Sequence, residues 1–518
     1  MTNGKPRADH RGHAPAGLDA IFSRILLACL LTTIASVPTV LLAQTRSTTT
    51  TTTTTTAQIQ TQPSLNLVLD AEYSYENSED FNGALPYPTQ LPFLGTDLLS
   101  WYRSLTGVSK SVDNITSTEP EPNPYLLLKL ATQYQQQSAG IMQPSTTITS
   151  GGPVFDVDEF EQGIIDKLDS ETVGYAYVIN FKKKHSRSDG RGAARNNNDS
   201  YLAQSQYKRM NIASISKTIT AVAVLQLLEL NDLNVFDPVG PWLPDDWTKG
   251  YGFANPQIIT FYDLLTHKSG IKQTAMAIQN FDAEFAALNL VKWNGLKAMV
   301  EYGIMPQFHG GEENQSYSNI NYALFRVIIP ALWEAAGQPI NALDANEAAA
   351  VYQAYVAENV FLPLDIHQPS CVSATGDYDP TRYYNVFEAN GTGAEAGNWT
   401  LSCGSGGWYL SAYELAKFMA YLRYSDRILS DSMRELMDLL DLGWSYNWSL
   451  SGDHGRYQAH AGALYFDSVE WPERREQQGC IMKFPIQVEA VLLVNSSIET
   501  NTLPCTVLRN AFDAAWVN

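Results

Sequence analysis

A serine and a lysine three residues apart, Ser214-Ile215-Ser216-Lys217, stand at the head of the apolar run Thr218 to Leu230. On a helix the two side chains share one face about one turn apart, so the lysine nitrogen reaches the serine hydroxyl. A serine hydroxyl gives up its proton only when a neighbouring base takes it during attack, and an amine at that spacing supplies the base. The helix start adds free N–H groups and the positive end of the dipole, which favour an oxyanion. Alone the pattern is weak, because a helix cap followed by a surface lysine spells the same letters. Other hydrolytic chemistries have less behind them. Ser405 in CGSGG lacks the first glycine of a G-x-S-x-G elbow, and no H-E-x-x-H occurs. Nor does any paired Cys or His spacing suit a structural zinc. Neither a metal nor a cofactor is called for.

Blocks further along the chain give the pattern a context. NIASISKTITAVAVLQLLEL with the following NDLNVFDPVGPWLP resembles the nucleophile helix and next segment of the class C β-lactamase and DD-peptidase family. ITFYDLLTHKSGI, Ile259 to Ile271, is similar to that family's T-x-x-x-L-L-T-H-x-S-G segment. Tyr317-Ser318-Asn319, GSGGWYLSAYELAKF from Gly404, and His460-Ala461-Gly462 follow in the family's order, so the resemblance spans about Phe155 to Asn518. It implies that Ser214 is acylated, that Lys217 eases removal of its proton, and that Tyr317, as a phenol held among cations and partly phenolate, relays protons to the leaving group. It also implies that Asn319 binds the substrate amide and Lys217, and that the N–H groups of Ser214 and of Ala463, which follows Gly462, form the oxyanion hole. His460 stands where many members carry lysine. An imidazole gives a weaker, pH-dependent charge there, which favours esters or D-amino-acid peptides over β-lactams. His267 reads as structural support and Ser216 as a helix-start hydroxyl. The rival reading is a non-catalytic surface glycoprotein that keeps the fold for binding.

These residues need elements to position them. Residues 156–168 carry apolar positions at helical spacing, and Val173 to Phe181 is a β-prone run. Lys182 to Asn198, basic and rich in Gly and Asn, reads as a solvated loop joining two strands. Ile486 to Val494 reads as a strand and Pro504 to Val517 as a terminal helix. Strands at both ends with helical sequence between them predict an α/β (α+β) domain: one antiparallel sheet, its first and last strands adjacent, flanked by helices and carrying an inserted helical subdomain.

Thirty-four Lys and Arg against 54 Asp and Glu give the 518-residue chain a formal charge of −20, which repels phosphate backbones and excludes nucleic acid as a natural partner. A small-molecule or peptide substrate remains. Ile25 to Ala43 is an uncharged apolar stretch behind Lys5, Arg7, Arg11 and Arg24. It reads as a signal peptide or as a membrane anchor, and either places the rest of the chain on the exoplasmic side, secreted or tethered. A Thr/Gln-rich stalk (44–64) and an extension without motifs (65–152) follow, before the hydrolase domain at 153–518. Cys371, Cys403, Cys480 and Cys505 form an even set suited to two disulfides; of three possible pairings, chain order favours 371 with 403 and 480 with 505. Asn-x-Ser/Thr sequons begin at Asn114, Asn198, Asn314, Asn390, Asn398, Asn447 and Asn495. A glycan on Asn314 would crowd Tyr317, and the longer charged segment after His460 also bears on substrate access.

Overall fold

The computed structural model describes residues 153–247, 259–271, 293–302, 304–309, 317–340, 344–373, 380–445, 451–467 and 471–517. The apolar stretch at 25–43, the stalk, the 65–152 extension and the sequons at Asn114, Asn314 and Asn447 lie outside the described residues.

The first helix, α1 (Val157–Leu168), begins where Asp156 accepts from the backbone N–H groups of Asp158 and Glu159. Its stripe of Phe160, Ile164 and Leu168 is fully buried. Strand β1 (Gly174–Phe181) follows, then β2 (Lys184–Arg195) and the short β3 (Leu202–Ala203). The later strands are β4 (Gln458–Tyr465), β5 (Glu476–Phe484) and β6 (Val488–Val494). All pairings are antiparallel in the order β4-β5-β6-β1-β2-β3, so β6 and β1 lie side by side, Val491 opposite Val178. The expected junction of first and last strands is present.

One expectation is corrected. Residues 184–195 are a strand and not a loop, and the hairpin connection shrinks to Lys182 and Lys183, both at positive φ. The strand's polar composition is no obstacle because its outward charges have partners: Arg187 pairs with Asp158 and Arg191 with Asp169. Pairing along β1 supplies the backbone bonds that local propensity alone does not. The terminal helix, Pro504–Ala514, also ends sooner than expected, and Trp516–Val517 pairs instead with Val154–Phe155.

The sheet has two unlike faces. α1 and the terminal helix cover one, where Phe160, Phe484 and Phe512 interlock and Cys480 bonds Cys505. Against the other packs the helix Ala412–Tyr424, and α2 (Ser216–Leu230) with the helices Phe325–Ala335 and Ala345–Val356 packed on it belongs to the same larger core. α2 is apolar all round and buried from Ser216 to Leu225, as a helix at the centre of a core should be. By length and composition it could cross a membrane, but 78% of that window is buried in the fold. Cys371 bonds Cys403 on this side, so the pairing follows chain order in both cases. Of the described sequons, Asn198, Asn390 and Asn398 are exposed. Asn495 is buried, its amide donating to the carbonyls of Ala193 and Arg382, which closes it to modification in the folded chain.

Candidate active site

Ser214 lies in a single turn, Ala213–Ile215, that leads directly into α2. The turn is held in an unusual shape: Ala213 adopts φ +48°, a region costly for a residue with a Cβ. Its surroundings leave it little choice. The Asn211 side chain accepts from the Ala213 N–H at 2.8 Å, and Trp408 O accepts from Ile212 N at 2.9 Å. Gly462 on β4 abuts the same turn so closely that a Cβ there would sit 2.4 Å from Ile212 O. Glycine at that position therefore lets β4 pass against the turn, and Ala463, which follows it, is exposed.

Around Ser214 Oγ the distances are those of proton transfer. The Tyr317 hydroxyl donates to it at 2.7 Å, and Lys217 Nζ stands 3.0 Å away. Lys217 also donates to Asn319 Oδ1 at 2.8 Å and to the carbonyl of Ser405. Tyr317 and Asn319 come from the start of the short helix Asn319–Ala323, and His267 underlies both. Its ring lies 4.4 Å from that of Tyr317, and its Nδ1 faces the Ser318 N–H at 3.3 Å and the Asn321 amide at 3.1 Å. His460 is buried on β4, two residues before Gly462 and so on the same face of the strand. The structure thus brings Ser214, Lys217, Tyr317 and Asn319 into direct contact, with His460 near enough to Lys217 for their charges to interact. The segment 310–316 before Tyr317 lies outside the described residues.

Burial dominates the electrostatics of the cluster. Lys217 is fully buried, and loss of solvent drives its pKa well below the ordinary lysine value, towards the free amine. Burial first, and Lys217 second, push His460 down to about 3. His267 is lowered for the same reasons, with His460 adding to them. Tyr317 moves the other way, to about 12, because desolvation outweighs the bond to Ser214, although 37% of the residue is exposed. Burial thus holds the phenol towards its protonated form, and Lys217 and the two imidazoles towards their neutral forms.

Residues 404–408 take a part that sequence reasoning did not assign, although they fall in a recognised block. Besides the Ser405 carbonyl on Lys217, the Gly404 carbonyl accepts from Thr220 at 2.8 Å, and the N–H groups of Gly407 and Trp408 donate to Ser216 Oγ at 3.1 and 3.2 Å. Ser216 is thus no cap for its own helix; it fastens this loop to α2. Among the described residues no group of His, Cys, Asp or Glu is arranged to hold a metal ion. A cavity of about 300 Å³ bordered by Tyr384, Glu388, Glu473 and Arg475 shares no residue with the Ser214 cluster.

A family model described as Beta-lactamase matches residues 176–495. Solved structures similar to the chain include an octameric penicillin-binding protein homologue from Pyrococcus abyssi, at 20% identity and a TM-score of 0.49 over 69% of this chain and 76% of that one. A beta-lactamase/D-alanine carboxypeptidase from Yersinia pestis aligns at 17% identity and a TM-score of 0.49, over 69% and 99%. A D-stereospecific amidohydrolase from Streptomyces sp. aligns at 19% and 0.45, over 66% and 94%. No curated protein matches the sequence.

Proposed function

The chain belongs to the beta-lactamase family, and on that premise we propose that it is a serine hydrolase that forms and hydrolyses an acyl-enzyme at Ser214. The observation that carries the reading is the Ser214 oxygen set between a buried amine at 3.0 Å and a phenol at 2.7 Å. Lys217, uncharged, takes the Ser214 proton as Oγ bonds to the substrate carbonyl carbon, and the carbonyl oxygen becomes an oxyanion. The N–H groups of Ser214 and Ala463 stabilise it. Collapse expels the leaving group, which takes its proton from the Tyr317 phenol, and the Lys217 ammonium restores that proton to Tyr317. Water then attacks the ester, with the same pair moving protons in reverse. Asn319 holds Lys217 in line.

The absence of charge on His460 supports an ester or D-amino-acid peptide bond as the target ahead of a β-lactam. The two disulfides support an oxidising, exoplasmic location, with residues 25–43 as signal or tether. Peptide mass spectrometry after reaction with a fluorophosphonate or a penicillin probe tests the assignment. The adduct is expected on Ser214 and lost in Ser214→Ala; labelling elsewhere, or hydrolysis of a small ester undiminished in Ser214→Ala, contradicts it.

A further inference from the structure

The cavity of about 300 Å³ that shares nothing with the Ser214 cluster has a chemistry of its own. One wall comes from the chain between Tyr384 and Thr392. The other is supplied by Asp467, Glu473 and Arg475, from the charged stretch after β4 that is longer than a hairpin turn requires. Tyr384 is buried, its hydroxyl donating to Asp199 at 2.8 Å and accepting from the Asn196 N–H at 2.9 Å, and its carbonyl accepts from Glu476 N at 3.1 Å. Arg475 ties the two walls together. Its Nε and Nη2 donate to the Asp467 carboxylate at 2.9 and 2.6 Å, and its Nη1 to the carbonyl of Thr392 at 3.3 Å. From His460, β4 runs roughly 17 Å to Tyr465 before this end of the sheet, so the cavity lies beyond the groups that flank a bond held at Ser214.

Inside, donors and acceptors do not balance. With the Arg475 guanidinium engaged by Asp467 and Thr392, the carboxylates of Glu388 and Glu473 border the cavity without a cation of their own. Neither makes a hydrogen bond or an ion pair with a described residue, and Glu388 meets Arg475 only through longer-range charge. One amide faces them. Asn385 is 3% exposed, and its Oδ1 accepts from the Phe387 N–H at 2.8 Å, which fixes the side chain with Nδ2 as its free end. Nδ2 bonds no described residue and is not among the sealed polar atoms of the core, so it opens on the cavity. A buried donor and two carboxylates together ask for a ligand that brings a cation and an oxygen acceptor. The chain's charge of −20 draws cations and repels anions. Among the described residues no group of His, Cys, Asp or Glu is arranged to hold a metal ion, which points to an organic cation. The volume, at the lower end for ligand sites, suits one ring or a short chain.

We propose that this cavity binds a small primary amine bearing hydroxyl groups, an amino alcohol or an amino sugar. Its ammonium sits between Glu388 and Glu473, and one of its oxygens accepts from Asn385 Nδ2. The site is independent of the role of Ser214.

Calorimetric titration of the intact chain at pH 6 and low ionic strength tests it with three probes: D-glucosamine, N-acetyl-D-glucosamine, which lacks the charge, and cyclohexylamine, which lacks the hydroxyls. Glucosamine is expected to bind at least about tenfold more tightly than N-acetylglucosamine, the strength of a hydrogen bond to a charged group. It is expected to bind about fivefold more tightly than cyclohexylamine, the strength of a neutral one. Glu388→Gln and Glu473→Gln, both at exposed positions, each weaken glucosamine, and together they remove its advantage over N-acetylglucosamine. Asn385→Ser keeps an oxygen for the Phe387 N–H and removes the longer donor, so glucosamine and cyclohexylamine converge. Ser214→Ala binds all three as the unaltered chain does. Glucosamine that does not bind saturably, that binds no better than N-acetylglucosamine, or that is unmoved by the double glutamine variant overturns the proposal. So does displacement of the amine by an equal concentration of calcium chloride, which would make this a metal site.

Discussion

The two disulfides lie in different cores of the molecule, and their surroundings differ more than their chemistry. Cys480–Cys505 ties β5 to the terminal helix inside an apolar layer of Phe160, Phe484 and Phe512. Cys371–Cys403 fastens the first residue of the loop whose Ser405 carbonyl holds Lys217 and whose N–H groups hold Ser216. Their sequence separations, 25 and 32 residues, are close, so loop-closure entropy assigns them stabilities within about 0.2 kcal/mol of each other. Equal bracing in stability with unequal bracing of the site implies that one half of this molecule is built for packing and the other for holding the groups around Ser214 in place.

The largest expected effect lies at the centre of that second half. Lys217→Ala is expected to lower kcat/KM by about a thousandfold, the range of a lost general base, while thermal unfolding shows a folded protein, because the variant also removes a buried amine that burial disfavours. Loss of fold in this variant would mean that Lys217 serves packing after all. The disulfides come next. Replacing either pair by alanines is expected to lower stability by about 3 kcal/mol in chemical denaturation. Measured well below the melting temperature, only the Cys371→Ala/Cys403→Ala protein should lose turnover, by about tenfold. Equal losses of kcat from both would erase the distinction between the halves. The smallest effect is expected at the far end of the sheet, where Ile486 sits at φ +54° in the β5–β6 turn, half exposed. A β-branched side chain is strained there, so Ile486→Gly is expected to raise stability by about 1 kcal/mol without touching kcat/KM.

Much of this was legible in the residues themselves. Helical spacing in 156–168 and the β-prone run at 173–181 gave α1 and β1 because each buries one clean face, and chain order gave both disulfide pairings. Residues 184–195 were not legible as a strand, since their polar, glycine-containing sequence is stabilised by pairing with β1 and by Arg187 and Arg191 reaching acidic residues outside the strand. For the site, S-x-x-K announced a nucleophile and its amine, but the proximity of Tyr317 and His460 joins stretches more than a hundred residues apart and came from resemblance alone. The Ser405 carbonyl had no letter to announce it, because any residue supplies a backbone oxygen. Charge state was least legible of all: lysine, histidine and tyrosine carry ordinary values in sequence, and only desolvation in the fold pushes the nitrogens down and the phenol up.

That displacement is the central claim, and the pH dependence of acylation tests it most directly. Protonated Lys217 cannot take the Ser214 proton, so the rate falls as pH drops through the pKa of Lys217 and is steady above it. With that pKa well below the ordinary lysine value, and with His460 and Tyr317 shifted to about 3 and about 12, the acylation rate measured by stopped flow should level off below pH 10 instead of climbing through it. A rate that keeps climbing tenfold per pH unit from 8 to 10 would show Lys217 to be an ordinary, charged lysine and would contradict the account.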